Sequence, residues 1–267
     1  SFIFFMINQF KVLIRGFIPL FKEYYFDFLS NTEILEPKVI KELNSLILNE
    51  SDEIIKEFED VFSKKIGIGR TISFASGRMG LYQLLKILNI GEGDEIIINS
   101  GTCAVMINAI MHANASPVYS DVDLYTFGSS PEEIKKNINT KTKMIIAQHS
   151  FGIPCKIDEI KKLSKKHNIF LLEDCALTLN SSFNQTKVGN FGDAALFSFD
   201  HTKPLNLFSG GAIYSRNNKL YELLKASTQN IKSISLKKQK AMLKRSLLEQ
   251  RFQSPLKCKF LRIYDFI

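Results

Sequence analysis

Between about residues 53 and 216, short β-branched apolar runs alternate with amphipathic stretches of helical period. The runs are TISFA (71–75), EIIINS (95–100), SPVYSDV (116–122), KMIIAQH (143–149), IFLLED (169–174), AALFSF (194–199) and GAIYSR (211–216). Helical candidates separate them: RMGLYQLLKILN (78–89), CAVMINAIMHAN (103–114), PEEIKKNIN (131–139) and KIDEIKKLSKKHN (156–168). Strands that alternate with helices in this way predict βαβ units and a mainly parallel sheet. The central runs are apolar at consecutive positions, so both of their faces must be covered by helices. The predicted fold class is α/β, a three-layer α/β/α sandwich.

Ahead of this body, PKVIKELNSLILN (37–49) and SDEIIKEFEDVFSKKIG (51–67) read as two helices. The second opens at Ser51 as N-cap, with Asp52 and Glu53 in the first turn, where carboxylates favour the helix dipole. Past residue 216 the strand signals stop. KLYELLKAS and SLKKQKAMLKRSLLEQRF are helical in period, the latter with Leu236, Leu243 and Leu247 on one face. The Phe-rich start, SFIFFMINQFKVLIRGFIPLF, is broken by Lys11, Arg15 and Lys22 before the roughly 18 apolar residues a membrane span requires. No small-residue cleavage site follows it, which argues against a signal peptide. A helix packed on the body and an interfacial or partner-binding helix both stay open for it. No internal repeat or low-complexity linker is present.

A chain of 267 residues suits one large domain with an appendage. With 45% apolar and 23% charged residues and a mean hydropathy of -0.02, the composition excludes disordered, collagen-like and coiled-coil classes. The net charge of +8 would suggest nucleic acid or an anionic membrane. It is confined to one end, because residues 217–267 hold 12 Lys+Arg against 3 Asp+Glu and the rest of the chain is near neutral. No nucleic-acid motif accompanies the tail, so the expectation is no nucleic-acid partner. A solvated helix face or a helix completing the small domain accounts for the basic residues, and peripheral membrane contact stays open. Cys103, Cys155, Cys175 and Cys258 have neither zinc-site spacing nor the density of a disulfide framework. No metal site is expected, and a reducing cytoplasm is the expected location.

In open α/β sheets, ligands gather at the carboxyl ends of the strands. Three polar groups sit there. IFLLEDCA ends a strand in Glu173 and Asp174; AALFSFDHTKPLNLFSGG ends one in Ser198, followed by His201, Thr202 and Lys203 before a Gly pair. FASGRMG is a small-residue turn between strand and helix, with backbone donors suited to a phosphate at Gly77 and Arg78. A phosphate turn, a carboxylate, then a hydroxyl and a lysine is the layout of a pyridoxal 5′-phosphate (PLP) enzyme of the aspartate aminotransferase fold. The chemistry needs a lysine for an internal Schiff base, a buried carboxylate to keep the pyridine nitrogen protonated, and hydroxyl and backbone donors for the phosphate.

Over roughly residues 33–216 the chain resembles the DegT/DnrJ/EryC1/StrS sugar aminotransferases. SFASGRMGLYQLLKILNIGEGDEIIINSGTCAVMINAIMHANASPVYSDVD and HSFGIPCKIDEI are similar to successive family segments, and KVGNFGDAALFSFDHTKPLNLFSGGAIYSRN carries the most diagnostic block. The resemblance implies Lys203 as Schiff-base lysine and proton shuttle and Asp174 as partner of the pyridinium. Ser198 and the Gly77–Arg78 turn would hold the cofactor phosphate. His149, at a position the family shares, and His201 are candidates for the substrate pocket. It further implies PLP, a nucleotide-linked keto-sugar, an amino donor such as glutamate, and a homodimer. The domains expected are an N-terminal helical extension (1–32), a PLP-binding large domain (33–216) and a basic helical tail (217–267) in place of a complete small domain.

Several positions depart from the family pattern. Arg78 stands where a small or hydroxyl residue is usual, Cys103 where an aromatic stacks on the ring, Leu177 where Gln or His faces it, and His201 where Pro is common. The family's later Asn-Tyr-Arg-like turn has no counterpart in the tail. Two alternatives to transamination therefore stay open: a lyase, desulfurase or dehydratase on the same fold, and a catalytically silent member acting in binding.

Overall fold

The computed structural model describes residues 36–45, 52–200, 202–229, 231 and 234–251. The Phe-rich start, the Ser51 cap, His201 and Cys258 lie outside the described residues. Contacts group residues 51–233 into one compact unit, and residues 1–50 with 234–267 into another. In the second unit the described elements are α1 (Pro37–Ser45) and α8 (Leu236–Arg251). On α8, Lys237, Lys238, Lys240 and Lys244 are exposed whereas Leu247 is buried, the segregation that the sequence pattern predicts for this helix.

The larger unit begins with α2 (Asp52–Ile66), β1 (Arg70–Phe74), α3 (Gly77–Ile87), β2 (Glu95–Asn99), α4 (Ala104–His112) and β3 (Ser116–Ser120). It continues through α5 (Pro131–Asn137), β4 (Thr142–Gln148), α6 (Ile157–His167) and β5 (Phe170–Asp174). A hairpin, β6 (Ser182–Phe183) and β7 (Thr186–Lys187), precedes β8 (Ala194–Ser198), β9 (Gly211–Ser215) and α7 (Asn218–Thr228). Seven strands form one sheet in the order β1-β9-β8-β5-β4-β2-β3. The pairings among β3, β2, β4, β5 and β8 are parallel. β9 runs antiparallel to both β8 and β1.

Period-two alternation divides each strand between two cores. Ile96, Ile98, Met144, Ile146, Leu196 and Ile213 face one side, where Leu81, Leu84 and Leu85 of α3 and Met106 and Ile110 of α4 cover them. Ile97, Ile145, Ala147 and Leu171 face the other and meet Ile134 of α5 with Ile157 and Ile160 of α6. Further along that second face, Phe62 and Ile66 of α2 pack on Ala195, Phe197, Ala212 and Tyr214. This is the three-layer sandwich, and each fully buried Leu or Ile contributes about 1.5–3 kcal/mol to it. α7 belongs to the same unit: Leu220, Tyr221 and Leu224 join the first core. Arg70 of β1 pairs with Glu222 at 2.8 Å and lies 3.6 Å over the Tyr221 ring.

The helical stretches read from sequence overrun the helices by one or two residues, and asparagine is the reason. Asn89, Asn114 and Asn168, the last residues of three of those stretches, adopt left-handed φ values of 53, 60 and 52°. Asparagine tolerates that conformation and so ends a helix there.

Candidate active site

The carboxyl ends of the parallel strands surround a cavity of about 420 Å³, within the range of small-molecule sites. Gly77, Arg78, His149, Asp174, Ser198 and Lys203 all line it. The six described residues picked from the sequence as site candidates therefore meet in one place. Cys103 and Leu177 line the same cavity.

α3 delivers its N-terminus to this cavity. Ser76 caps the helix in extended backbone (φ -163, ψ 157) and its Oγ accepts from the Met79 N–H. The positive end of the helix, with Gly77 and Arg78 in its first turn, is a ready anion site. Ser198 ends β8 beside it: a Cβ placed on Gly77 would stand 3.7 Å from the Ser198 Cβ. The glycine pair after Lys203 is needed for the same reason. Gly210 has φ +126, and a Cβ on Gly211 would fall onto the backbone N and Cα of Gly77.

Asp174 ends β5 with 5% of its surface exposed. Burial pushes its carboxyl above the usual range, opposed by the Ala176 N–H and the charge of Lys203. Among the described residues the Ala176 N–H, 2.9 Å from Oδ1, is the donor that reaches it. A buried carboxylate this sparsely partnered favours a cationic neighbour in the cavity. Thr102 Oγ1, also on the cavity wall, is buried without a partner among the described residues.

Glu173, the preceding residue, points the opposite way, as alternation in a strand requires. Its Oε1 accepts from the N–H groups of Phe191 and Gly192, both at 2.7 Å, and its Oε2 from the Gly189 N–H at 2.8 Å and from His149 Nε2 at 3.2 Å. His149 Nδ1 accepts from the Cys155 N–H at 3.1 Å, so the ring proton sits on Nε2. Both ring nitrogens of His149 are committed to protein partners. The ring therefore lines the cavity as a fixed wall rather than as a free base.

His149, Glu173 and Cys175 also bring their ligand atoms within 4.8 Å of one another. They make a poor metal site. The Glu173 oxygens are taken by four donors, and burial pushes the Cys175 thiol up to about 12, so it is no thiolate. The cluster is a hydrogen-bonded brace.

The sequence placed Glu173 at a strand end beside Asp174 but did not reveal its bracing role, whose signal was the two glycines of VGNFG that come close to it. Phe127 and Phe151, at the rim of the cavity, were given no role either, although Phe151 is the aromatic of the HSFG segment. Both are exposed, with φ of 54 and 53° and ring centroids 6.4 Å apart. Bulky residues rarely adopt left-handed backbone, so nothing in the sequence marks this conformation.

These residues fit PLP in their donor set: a lysine, a buried carboxylate short of partners, a serine hydroxyl, an unpartnered threonine hydroxyl and a helix N-terminus. The ring faces differ from the usual pattern, because Leu177 and Cys103 supply no aromatic or amide surface. No helix among the described residues is long and apolar enough to cross a membrane.

Residues 32–246 match the model of the DegT/DnrJ/EryC1/StrS aminotransferase family. The chain is 33% identical to the GDP-perosamine synthase of Escherichia coli O157:H7 over 67% of its own length and 50% of that protein. It is 36% identical to a dTDP-3-amino-3,6-dideoxy-alpha-D-galactopyranose transaminase of Aneurinibacillus thermoaerophilus over 64% of its length and 47% of that protein. In three dimensions it resembles an aminotransferase from Psychrobacter cryohalolentis, with a TM-score of 0.69 and 24% identity over 80% of this chain and 62% of the other. The chain thus spans about half the length of the curated relatives it matches. On the family model, the fold and the strand-end constellation together, it belongs to the DegT/DnrJ/EryC1/StrS family of PLP-dependent sugar aminotransferases.

Proposed function

We propose that this chain supplies the cofactor-binding body of a PLP-dependent transaminase that moves an amino group, with glutamate as donor, onto a nucleotide-linked keto-sugar. The observation that carries the reading is the convergence of Lys203, Asp174, Ser198 and the first turn of α3 on one cavity. The names of the two relatives agree with it, one a synthase of a GDP-linked product and one a transaminase of a dTDP-linked amino sugar.

In this reading Ser198, Arg78 and the amides at the α3 N-terminus hold the cofactor phosphate, the guanidinium acting as a charged fork. Asp174, excluded from water, keeps a proton on the ring nitrogen. The cofactor, when bound, supplies an electron sink for the pair released when the C–H bond beside the amine breaks. Lys203 Nζ takes that proton from one carbon and returns it to another, as general base and then general acid. The His149 ring, held by Glu173 and the Cys155 amide, fixes one wall against which the reactants are oriented. The homodimer that the family resemblance implies is part of the proposal.

Incubation of the full chain with PLP, glutamate and a nucleotide-linked 4-keto-sugar tests the activity. Formation of the aminosugar with loss of glutamate supports transamination. Release of ammonia or loss of water from the sugar, with no nitrogen transferred, supports a lyase or dehydratase instead. Leu177 and Cys103 on the cavity wall favour a second reading, a divergent and catalytically silent member acting in binding. Neither product forming at saturating cofactor would select it.

A further inference from the structure

A second cavity, of about 750 Å³, opens at the opposite edge of the sheet, around the amino ends of β2, β4, β5 and β8. Its walls carry Lys143, Lys161, Lys165, Arg216 and Lys219 against two carboxylates, Asp94 and Asp193. Both carboxylates already serve the backbone: Asp94 Oδ2 accepts from the Gly91 N–H at 3.0 Å, and Asp193 Oδ2 from the Leu171 N–H at 2.8 Å. Among the described residues, none of the five cations forms an ion pair. Glu173 and Asp193 act on Lys161 from a distance, and with five cations against two carboxylates on its walls the groove keeps an excess of positive charge.

Three elements aim at the same spot. Lys161 and Lys165 are one turn apart on α6, so they share a face, and Arg216 lies between the end of β9 and the Asn217 cap of α7. Lys161 is half-buried, with its ammonium 5.7 Å from the Phe191 ring centroid. Burial, then the charges of Lys165 and Arg216, pull its pKa below the ordinary lysine value. α7 begins at the rim, capped by Asn217, so its positive dipole end adds to the field. Part of the wall is apolar, with Phe191, Leu220 and Leu223 on it.

We propose that this groove binds a soluble phosphate ester of nucleotide size, its phosphates on Lys161, Lys165 and Arg216 and its ring against the apolar wall. The volume suits such a ligand, and clustered cations of both types suit phosphate oxygens. The cations line a concavity, which a flat bilayer surface cannot enter. The site lies at the other end of the strands from Lys203, so it is not the substrate pocket, and it stands whether or not the transaminase reading holds.

Binding of ADP and of inorganic pyrophosphate to the full chain, measured by calorimetry at about 0.15 M salt, tests the proposal. ADP is expected to bind saturably and more tightly than pyrophosphate. Lys161→Gln with Arg216→Gln should weaken ADP binding by at least about tenfold, while Ser198→Ala, in the cofactor cavity, should leave it unchanged. Lys165→Gln with Lys219→Gln, at exposed positions, should weaken it too, so a folding defect in the first pair cannot hide the result. The proposal is overturned by absence of saturable ADP binding, by insensitivity to both charge pairs, or by an equal loss in Ser198→Ala. It is also overturned if the chain sediments with phosphatidylglycerol vesicles through these residues but ignores soluble ADP.

Discussion

His149 and Glu173 meet at 3.2 Å through Nε2 and Oε2, the fourth hydrogen bond accepted by a carboxylate that three backbone amides already engage. One side chain thereby ties β4, β5 and the 189–192 loop together under the cavity floor. Glu173→Gln puts an NH₂ group where two donors already point. The expected cost is about 3 kcal/mol, read as a lower urea midpoint with unchanged m. An unchanged midpoint would show that the brace is not structural.

Gly211 bears on the phosphate turn. Its missing Cβ is the space that the Gly77 backbone occupies, so Gly211→Ala must push the start of α3 away from β9. Destabilisation of about 3 kcal/mol or more is expected, together with weaker retention of PLP in equilibrium dialysis. Wild-type stability and wild-type retention in Gly211→Ala would mean that the close approach of these two backbones is unimportant.

Acid sensitivity has a definite source in Asp123. Lys156 at 2.9 Å, with the N–H groups of Tyr125 and Thr126, holds its carboxyl at about 2, below the ordinary 3.8. Because the folded value lies below the unfolded one, this contribution is complete above the unfolded value and is lost as pH falls through about 2. Lys156→Met should lower stability modestly near neutrality, the partner being partly exposed. The gap from wild type should close between about pH 4 and pH 2. Urea midpoints measured across that range check it, and a gap that widens in acid would refute the assignment.

Thiol reactivity should follow burial. Cys103 is exposed, whereas Cys155 and Cys175 are buried and the Cys175 thiol is pushed up to about 12. Among these three, iodoacetamide with peptide mapping should label Cys103 first and the other two only on unfolding. Cys103 lines the candidate cofactor cavity, so preloading with PLP should slow its labelling. Rapid labelling of Cys175 in the folded protein would contradict the buried brace.

Most of the architecture was legible in the chain because strand ends and core faces leave a pattern. Every apolar run became a strand, with its ends within two residues of the expected ones. The β6–β7 hairpin was missed because its turn, Asn184-Gln185 at φ of 46 and 65°, lacks the Asn-Gly signature. The reversal of β9 left no mark in GAIYS itself. Its signal was the absence of a helical stretch between AALFSF and GAIYSR, since a parallel neighbour would need a crossover. Asp174, Ser198 and Lys203 stood out as polar residues ending or following apolar runs. The role of Glu173 did not, because three of its partners are backbone amides, which have no letter in a sequence. Nor did the two cavities, one at each end of the same strands, show before the sheet order was known.

The central claim is that Lys203 carries the cofactor. Mixing the purified chain with PLP, reducing with borohydride and mapping the product by mass tests it most directly. A pyridoxyl group on the peptide bearing Lys203, absent in Lys203→Ala and reduced in Asp174→Asn, is the predicted result. A folded chain with no adduct, or with label spread over surface lysines and unaffected by Lys203→Ala, would contradict it.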